Sequence, residues 1–271
     1  NFVAKWDPVT EKWSALGLGL DGSVTALACD TNGNLYAGGN FTTAGGVTAY
    51  NIAKWDPVTE VWSALGDGLD WPANALAFDP NGNLYVGGNF GTAGGVTAYY
   101  VAQWNPITET WSALGSGMDN VVSALAMDTN GNLYAGGSFT TAGGTNVSNI
   151  AKWDPGTEEW SALGVGLDST VTALACDTNG NLYAGGWFTT AGGSNANYVA
   201  QWNGTTWANM AEGMNNGVVA LGLNASGNPY AGGYFDTAGG LTAYSIAEWR
   251  YHPATSGISP ASGSSMGGYP V

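Results

Sequence analysis

Tryptophan recurs along this chain with a period of 49, at Trp6, Trp55, Trp104, Trp153 and Trp202, and Trp249 follows after 47. A second series runs through Trp13, Trp62, Trp111 and Trp160 at the same spacing, then Trp207. A third element, N-G-N-L-Y-x-G-G, places Tyr36, Tyr85, Tyr134 and Tyr183 in step, with Tyr230 in a last copy, NPYAGG. The stretch VTALACDTNGNLYAGG occurs letter for letter at 24–39 and 171–186. A repeat of about 40–50 residues built from short strands points to propeller blades rather than to a helical solenoid. No helical apolar rhythm runs for a useful length, so almost no helix is expected.

Each unit reads as two hairpins. The first is VTALACD, a turn at TNG, then NLYAGGNF; Asn-Gly between apolar runs is the strongest short hairpin signal. The second is IAKWD, a turn at PVTE, then VWSALG, with Asp-Pro opening a type I turn. The unit therefore supplies four antiparallel strands: a (24–30), b (34–41), c (52–56) and d (61–65). The fifth copy replaces the six residues between its two tryptophans by four, NGTT. Loss of two residues keeps both indoles on one face, whereas loss of one would turn an indole outward. The small side chains of a and b suit a crowded axis, and the tryptophans of c and d suit a wider periphery where blades diverge.

Composition narrows the partners. The formal net charge is −15, with five Lys and Arg and one His, which argues against nucleic acid and against docking on anionic lipid. No apolar run approaches the roughly 20 residues that span a bilayer, so no membrane insertion is expected. The chain opens in mid-pattern at NFVAKW, without an initiator Met, and is expected to be a piece of something longer.

A strand ending in Gly-Gly, followed by W-D-P-x-T-x-x-W, resembles the kelch motif. The wider phrase LYAGGNFTTAGG…NIAKWDP…WSALG is similar to repeats of bacterial secreted and surface proteins and to those of fungal cortical bud-site marker proteins. It departs from kelch in the second glycine pair, TTAGG at 42–46, which lengthens the b–c loop. The resemblance implies a β-propeller and leaves function open. The fold expected is all-β, a propeller over residues 1–250 with five four-stranded blades, whose inner hairpins begin at Val24, Asn74, Val122, Val171 and Val218. The strand of Trp13 is expected to close the fifth blade, leaving one c strand in surplus; the alternative is a ring of six or more blades. Residues 251–271 read as a Ser/Gly/Pro linker, and I-S-P-x-S-G-x-x-x-G-G-x-x-V resembles the opening of an IPT/TIG immunoglobulin-like domain. That resemblance implies a secreted or cell-surface protein.

Candidate chemistry is sparse. Cys29 and Cys176 share one position, filled elsewhere by Phe78, Met127 and Leu223, so both read as buried, inert thiols. DTNGN at Asp30 offers too few carboxylates for a calcium loop and reads as a hairpin turn. Asp21, Asp70, Asp119 and Asp168 precede strand a in four copies, with Asn215 in the fifth. They read as turn aspartates or as a ring of cation- or sugar-binding groups. His252 is the only histidine, so no Ser-His-Asp or histidine–metal site is expected, and no cofactor or metal.

Constant positions are what a blade requires, and variable positions are free for function. Variation gathers in the d–a loops, in the b–c loop tyrosines (Tyr50, Tyr99, Tyr100, Tyr198, Tyr244) and at the residue after Gly-Gly: Asn40, Asn89, Ser138, Trp187, Tyr234. Those loops should leave a blade on one face, which places Trp71, Trp187 and Tyr234 on a rim with the Asp21 series as a candidate ligand site; interblade packing is the other reading. Asn40, Asn146, Asn203 and Asn224 open N-x-S/T sequons, glycosylation acceptors in a permissive host. The expected function is a non-catalytic extracellular or cell-surface module for adhesion, assembly or structural interaction, with protein partners or further copies of itself. A lectin-like carbohydrate binder is the second reading, and a glycoside-active enzyme the third.

Overall fold

The computed structural model describes residues 2–250 and 257–259. Five four-stranded antiparallel sheets follow one another, each with its strands in the order a-b-c-d, so the chain is an all-β propeller of five blades. Strands a to d of the first blade are Ser23–Cys29, Leu35–Asn40, Ile52–Asp56 and Val61–Ala64. In the second they are Ala73–Phe78, Leu84–Gly88, Val101–Asn105 and Thr110–Ala113. The third blade runs Val122–Met127, Leu133–Gly137, Ile150–Asp154 and Glu159–Ala162. The fourth runs Val171–Cys176, Leu182–Gly186, Val199–Trp202 and Trp207–Asn209. The fifth has Val218–Leu223, Pro229–Gly233 and Ile246–Arg250, with Gly257–Ser259 paired to the last of these as its outer strand. Apart from those three residues, the linker and immunoglobulin-like reading of 251–271 lies outside the described residues.

The second glycine pair makes a third hairpin in every unit. Thr43–Ala44 pairs with Val47–Thr48 around Gly45 and Gly46, whose φ values of 61° and 84° are those of a type I′ turn. The shortened fifth copy of the Trp–Trp turn keeps its register: Trp202 faces Trp207 as Trp55 faces Trp62. Even parity of the deletion is the reason.

Two glycines in a row answer to two different neighbours. At the first of the pair, in the first four blades, the next blade arrives. A Cβ at Gly136 would stand 2.5 Å from Val171 Cγ1, and one at Gly185 2.5 Å from Val218 Cγ1. At the second, the blade's own backbone arrives: a Cβ on Gly137 would overlap the Val121 carbonyl. That crowding coincides with a bulge in strand a between Val122 and Ala124. Leu125 and Leu174 then seal the glycine strand of the preceding blade and are buried.

Farther out, indoles join the blades. Trp55 and Trp62 lie 5.5 Å apart with rings tilted by 53°, and the second, third and fourth blades repeat the pair. Trp62 Nε1–H donates to the Leu16 carbonyl at 2.9 Å, 46 residues earlier; Trp111, Trp160 and Trp207 donate likewise to Leu65, Leu114 and Leu163. Burying each ring contributes roughly 4–6 kcal/mol as an upper bound, and the satisfied indole N–H about 1 more.

The array is open. Strand a of each blade packs on strand a of the next, but the first and the fifth do not pack on each other in this way. Leu27 is consequently 52% exposed where Leu125 and Leu174 are buried, and Ile246 is 53% exposed where Ile52 and Ile150 are fully buried. This corrects the expected closure. Among the described residues the strand of Trp13 (Lys12–Ala15) pairs only with Ala4–Asp7, and this hairpin packs against the first blade through Leu16 and Leu20. Cys29 is corrected for the same reason: it is exposed, whereas Cys176 is partly buried and its thiol is pushed up to about 12 by burial and then by Asp128 and Asp177.

Candidate functional site

The d–a linkers and b–c loops do meet on one rim, and the Asp21 series holds them together. Asp21 Oδ1 accepts the Thr42 and Thr43 amides at 2.8 and 2.9 Å, and Oδ2 accepts the Thr42 hydroxyl. Asp119 and Asp168 repeat the clamp with Thr140–Thr141 and Thr189–Thr190. Asp70 keeps the two amide bonds, from Gly91 and Thr92, and loses the hydroxyl because glycine replaces threonine. In the fifth copy Asn215 accepts the Asp236 and Thr237 amides. The partners lie 21 and 22 residues ahead, so this is a clamp between loops rather than a local turn.

Charge favours the clamp. The Thr42 hydroxyl and the Thr43 and Thr42 amides hold Asp21 far below the usual carboxylate range. Burial pushes Asp119 and Asp168 up, and the hydrogen bonds from their threonines outweigh it, so both also lie below the ordinary value. These oxygens are already engaged by the protein's own loops, which leaves them little capacity for a cation or a sugar.

Asp30 is engaged in the same way at the far end of the blade. Its Oδ1 accepts the amides of Asn32 and Asn34 and its Oδ2 accepts Asn34 Nδ2–H, a closed hairpin loop. Among the described residues no three His, Cys, Asp or Glu side chains gather in one place. Of the sequon asparagines, Asn40, Asn146 and Asn203 are exposed. Asn224 is partly buried, with its side-chain Oδ1 accepting the Ser226 and Asn228 amides.

The rim aromatics form two separate features. Trp187, after the fourth Gly-Gly, lies against Gly217 in the next linker, where a Cβ would come within 2.9 Å of its ring. It stacks on Tyr234, the matching residue of the fifth blade, with centroids 5.7 Å apart and planes at 30°. Both rings remain exposed, at 43% and 66%. Asn216 and Asn215 flank the pair: Asn216 Nδ2–H donates to the Tyr234 carbonyl, and Asn215 Nδ2–H to Asp236. Trp71 is exposed as expected but belongs to the junction of the first two blades, away from the other two. There it lines a groove of about 610 Å³ with Tyr50, Asn40, Thr42, Asp70 and Pro72. Tyr50 was not among the expected site residues; its only signal was a place in a variable b–c loop.

Five four-stranded blades carrying a variable loop rim define a β-propeller module. Residues 68–225 match the family model described as the Rax2 C-terminal beta propeller domain, and the chain belongs to that family. Among solved structures it is similar to a chain in the crystal structure of the mitotic checkpoint complex. The two are 17% identical with a TM-score of 0.62, over 94% of this chain and 68% of that one. That likeness supports the fold. No curated protein matches the chain.

Proposed function

We propose that this chain is a non-catalytic protein-interaction propeller of the extracellular space or cell surface, and that its variable rim is the contact face. The observation that carries the reading is the Trp187–Tyr234 stack: two large rings, exposed and held against each other, at a position where other copies have Asn40, Asn89 and Ser138. Rigid aromatic surface of this kind supplies the anchors of protein interfaces at little entropic cost. The clamps beneath it fix the loops, so the face is preorganised. The resemblance of the repeats to bacterial surface proteins and fungal cortical bud-site markers supports the surface placement. The similar solved chain belongs to a complex, the mitotic checkpoint complex, and this supports a role in assembly.

A carbohydrate ligand is the second reading, favoured by aromatic rings beside Asn215, Asn216 and Asp236. One comparison tests both. A protein partner captured by crosslinking should lose at least about tenfold in affinity with W187A/Y234A at an unchanged Tm. Retention of full affinity by W187A/Y234A and by W71A would sink the rim as the contact face. Glycan-array binding at millimolar sugar, lost in W187A, would transfer the site to the second reading.

A further inference from the structure

The clamp aspartates are not all alike. In three of them Oδ2 accepts a threonine hydroxyl: Thr42 for Asp21, Thr140 for Asp119 and Thr189 for Asp168. At Asp70 the threonine's place is taken by Gly91, and Oδ2 accepts no hydrogen bond among the described residues. A Cβ on Gly91 would stand 3.5 Å from that oxygen, so a missing side chain is what leaves it open. Asp70 lines the groove of Trp71 and Tyr50, and Asp67 lines it too. The groove exists because its corner is not filled. Between the fourth and fifth blades Trp187 lies on Gly217. Between the first and second blades the same two places hold Asn40 and Pro72, and the exposed rings of Trp71 and Tyr50 border the space that is left.

Much of the groove's donor capacity is already spent. Asn51 Nδ2–H donates to the Leu69 carbonyl, and the Thr42 hydroxyl donates to Asp21. The Leu69 and Asp70 amides donate to the Tyr50 and Thr92 carbonyls, and the Thr92 amide donates to Asp70 Oδ1. The charged groups that remain are acceptors only, the Asp67 carboxylate and Asp70 Oδ2, and among the described residues no Lys, Arg or His lines the groove. A sugar hydroxyl accepts as well as donates, and its accepting capacity would go largely unmet here. A guanidinium carries five donors and no acceptor, and its plane stacks on aromatic rings.

We propose that the groove between the first and second blades is a pocket for an arginine side chain of a protein partner. Its guanidinium lies against Trp71 and Tyr50 and donates to Asp70 Oδ2 and Asp67. The formal net charge of −15 favours the approach of a basic segment. The inference rests on the rim as contact face but not on the Trp187–Tyr234 stack, which belongs to another junction. The chain holds its own comparison in the corresponding groove between the fourth and fifth blades, of about 570 Å³. There Glu212 stands for Asp67, but Asn197, Asn216 and Asn215 replace Tyr50, Trp71 and Asp70. That groove lacks both the aromatic platform and the second carboxylate, so the arginine site is single.

The test uses the peptide acetyl-Gly-Arg-Gly-amide and the same peptide with citrulline, the neutral isostere of arginine. Proton–nitrogen NMR follows the Trp71 indole N–H, identified by its loss in Trp71→Phe, with the Trp187 indole as reference in the same molecule. The Trp71 signal should move saturably with the arginine peptide, and the citrulline peptide should bind at least about fivefold more weakly. Gly91→Thr returns a hydroxyl to Asp70 Oδ2, as in the other three clamps, and should weaken arginine binding at least about threefold. Asp70→Asn, whose loop geometry Asn215 already shows, should weaken it as well. A Trp71 signal that stays still, or that moves equally with citrulline, overturns the proposal, as does unchanged affinity in both variants. Equal movement of the Trp187 indole would mean unselective stacking on exposed rings and overturns it too. Tighter binding of methyl glycosides than of the arginine peptide would assign the groove to carbohydrate and overturn it. None of these results touches the Trp187–Tyr234 reading, which is decided by the partner's affinity for W187A/Y234A.

Discussion

An aspartate that accepts two amides and a hydroxyl ties two loops together much as a covalent link would, and the chain itself contains the control. Asn215 takes the place of Asp21, Asp70, Asp119 and Asp168 and accepts the same two amides. The amide oxygen therefore suffices for geometry, and the carboxylate adds charge. Asp119→Ala is expected to lower Tm by about 3–6 °C, through the orphaned amides of Thr140 and Thr141, and Asp119→Asn by less than half of that. The charge contribution has a definite sign. Asp119 is depressed in the folded state, so its stabilisation is complete above the unfolded carboxylate value, about 3.9, and is lost as pH falls through the lower folded value. The Tm gap between wild type and Asp119→Asn should narrow between about pH 6 and about pH 2.5. A gap that stays constant would remove charge from the explanation.

At the scale of the element, the double glycine separates what a strand needs from what its neighbour needs. Gly136 and Gly232 hold the same place in the repeat, but only Gly136 has a blade against it. Gly136→Ala should cost about 1–3 kcal/mol by overpacking against Val171. Gly232→Ala should be neutral or stabilising by up to about 0.5 kcal/mol, because alanine has less entropy to lose. Calorimetry of the two variants decides it, and equal losses would mean that strand conformation, not blade contact, fixes the glycine. The contrast also marks the limit of what could be read without coordinates. The strand pairs of the four-stranded blades, their turns and the parity of the NGTT deletion follow from local chemistry and period and were legible; the third hairpin, around Gly45 and Gly46, read only as a longer loop. The partner of Gly136 lies in the next repeat, and that of Asp21 lies 21 residues away across a loop; a repeated letter does not say which of its neighbours it serves. Cys29 and Cys176 share the same local sequence, yet one is exposed and the other partly buried, because exposure depends on whether a preceding blade is present. At the rim, variability picked out Trp71, Trp187 and Tyr234 together; it could not show that Trp187 stacks on Tyr234 while Trp71 stands apart with Tyr50.

On the scale of the molecule, five near-identical blades in an open row should not be equally stable. In a linear array each unit's stability is its own plus that of the interfaces it shares. The second, third and fourth blades each have a full blade on both sides, and among the described residues the fifth has one on one side only. The first has the second blade on one side and only the outer hairpin of Trp6 and Trp13 on the other, with its inner strand uncovered. Thr25 Oγ1–H donates to the Ala73 carbonyl and Thr172 Oγ1–H to the Val218 carbonyl, tying inner strands together from blade to blade. In the fifth blade that position is Val219, exposed and without a donor to offer. Hydrogen exchange followed by mass spectrometry should therefore find Val122–Met127 and Leu133–Gly137 the most protected, with Ser23–Cys29 and Val218–Leu223 exchanging at least about tenfold faster. Uniform protection across all five inner strands would mean that the row opens as a single cooperative unit, and the exposed ends would then carry no local weakness. A gradient falling toward both ends would instead show that each junction stabilises mainly the two blades that share it.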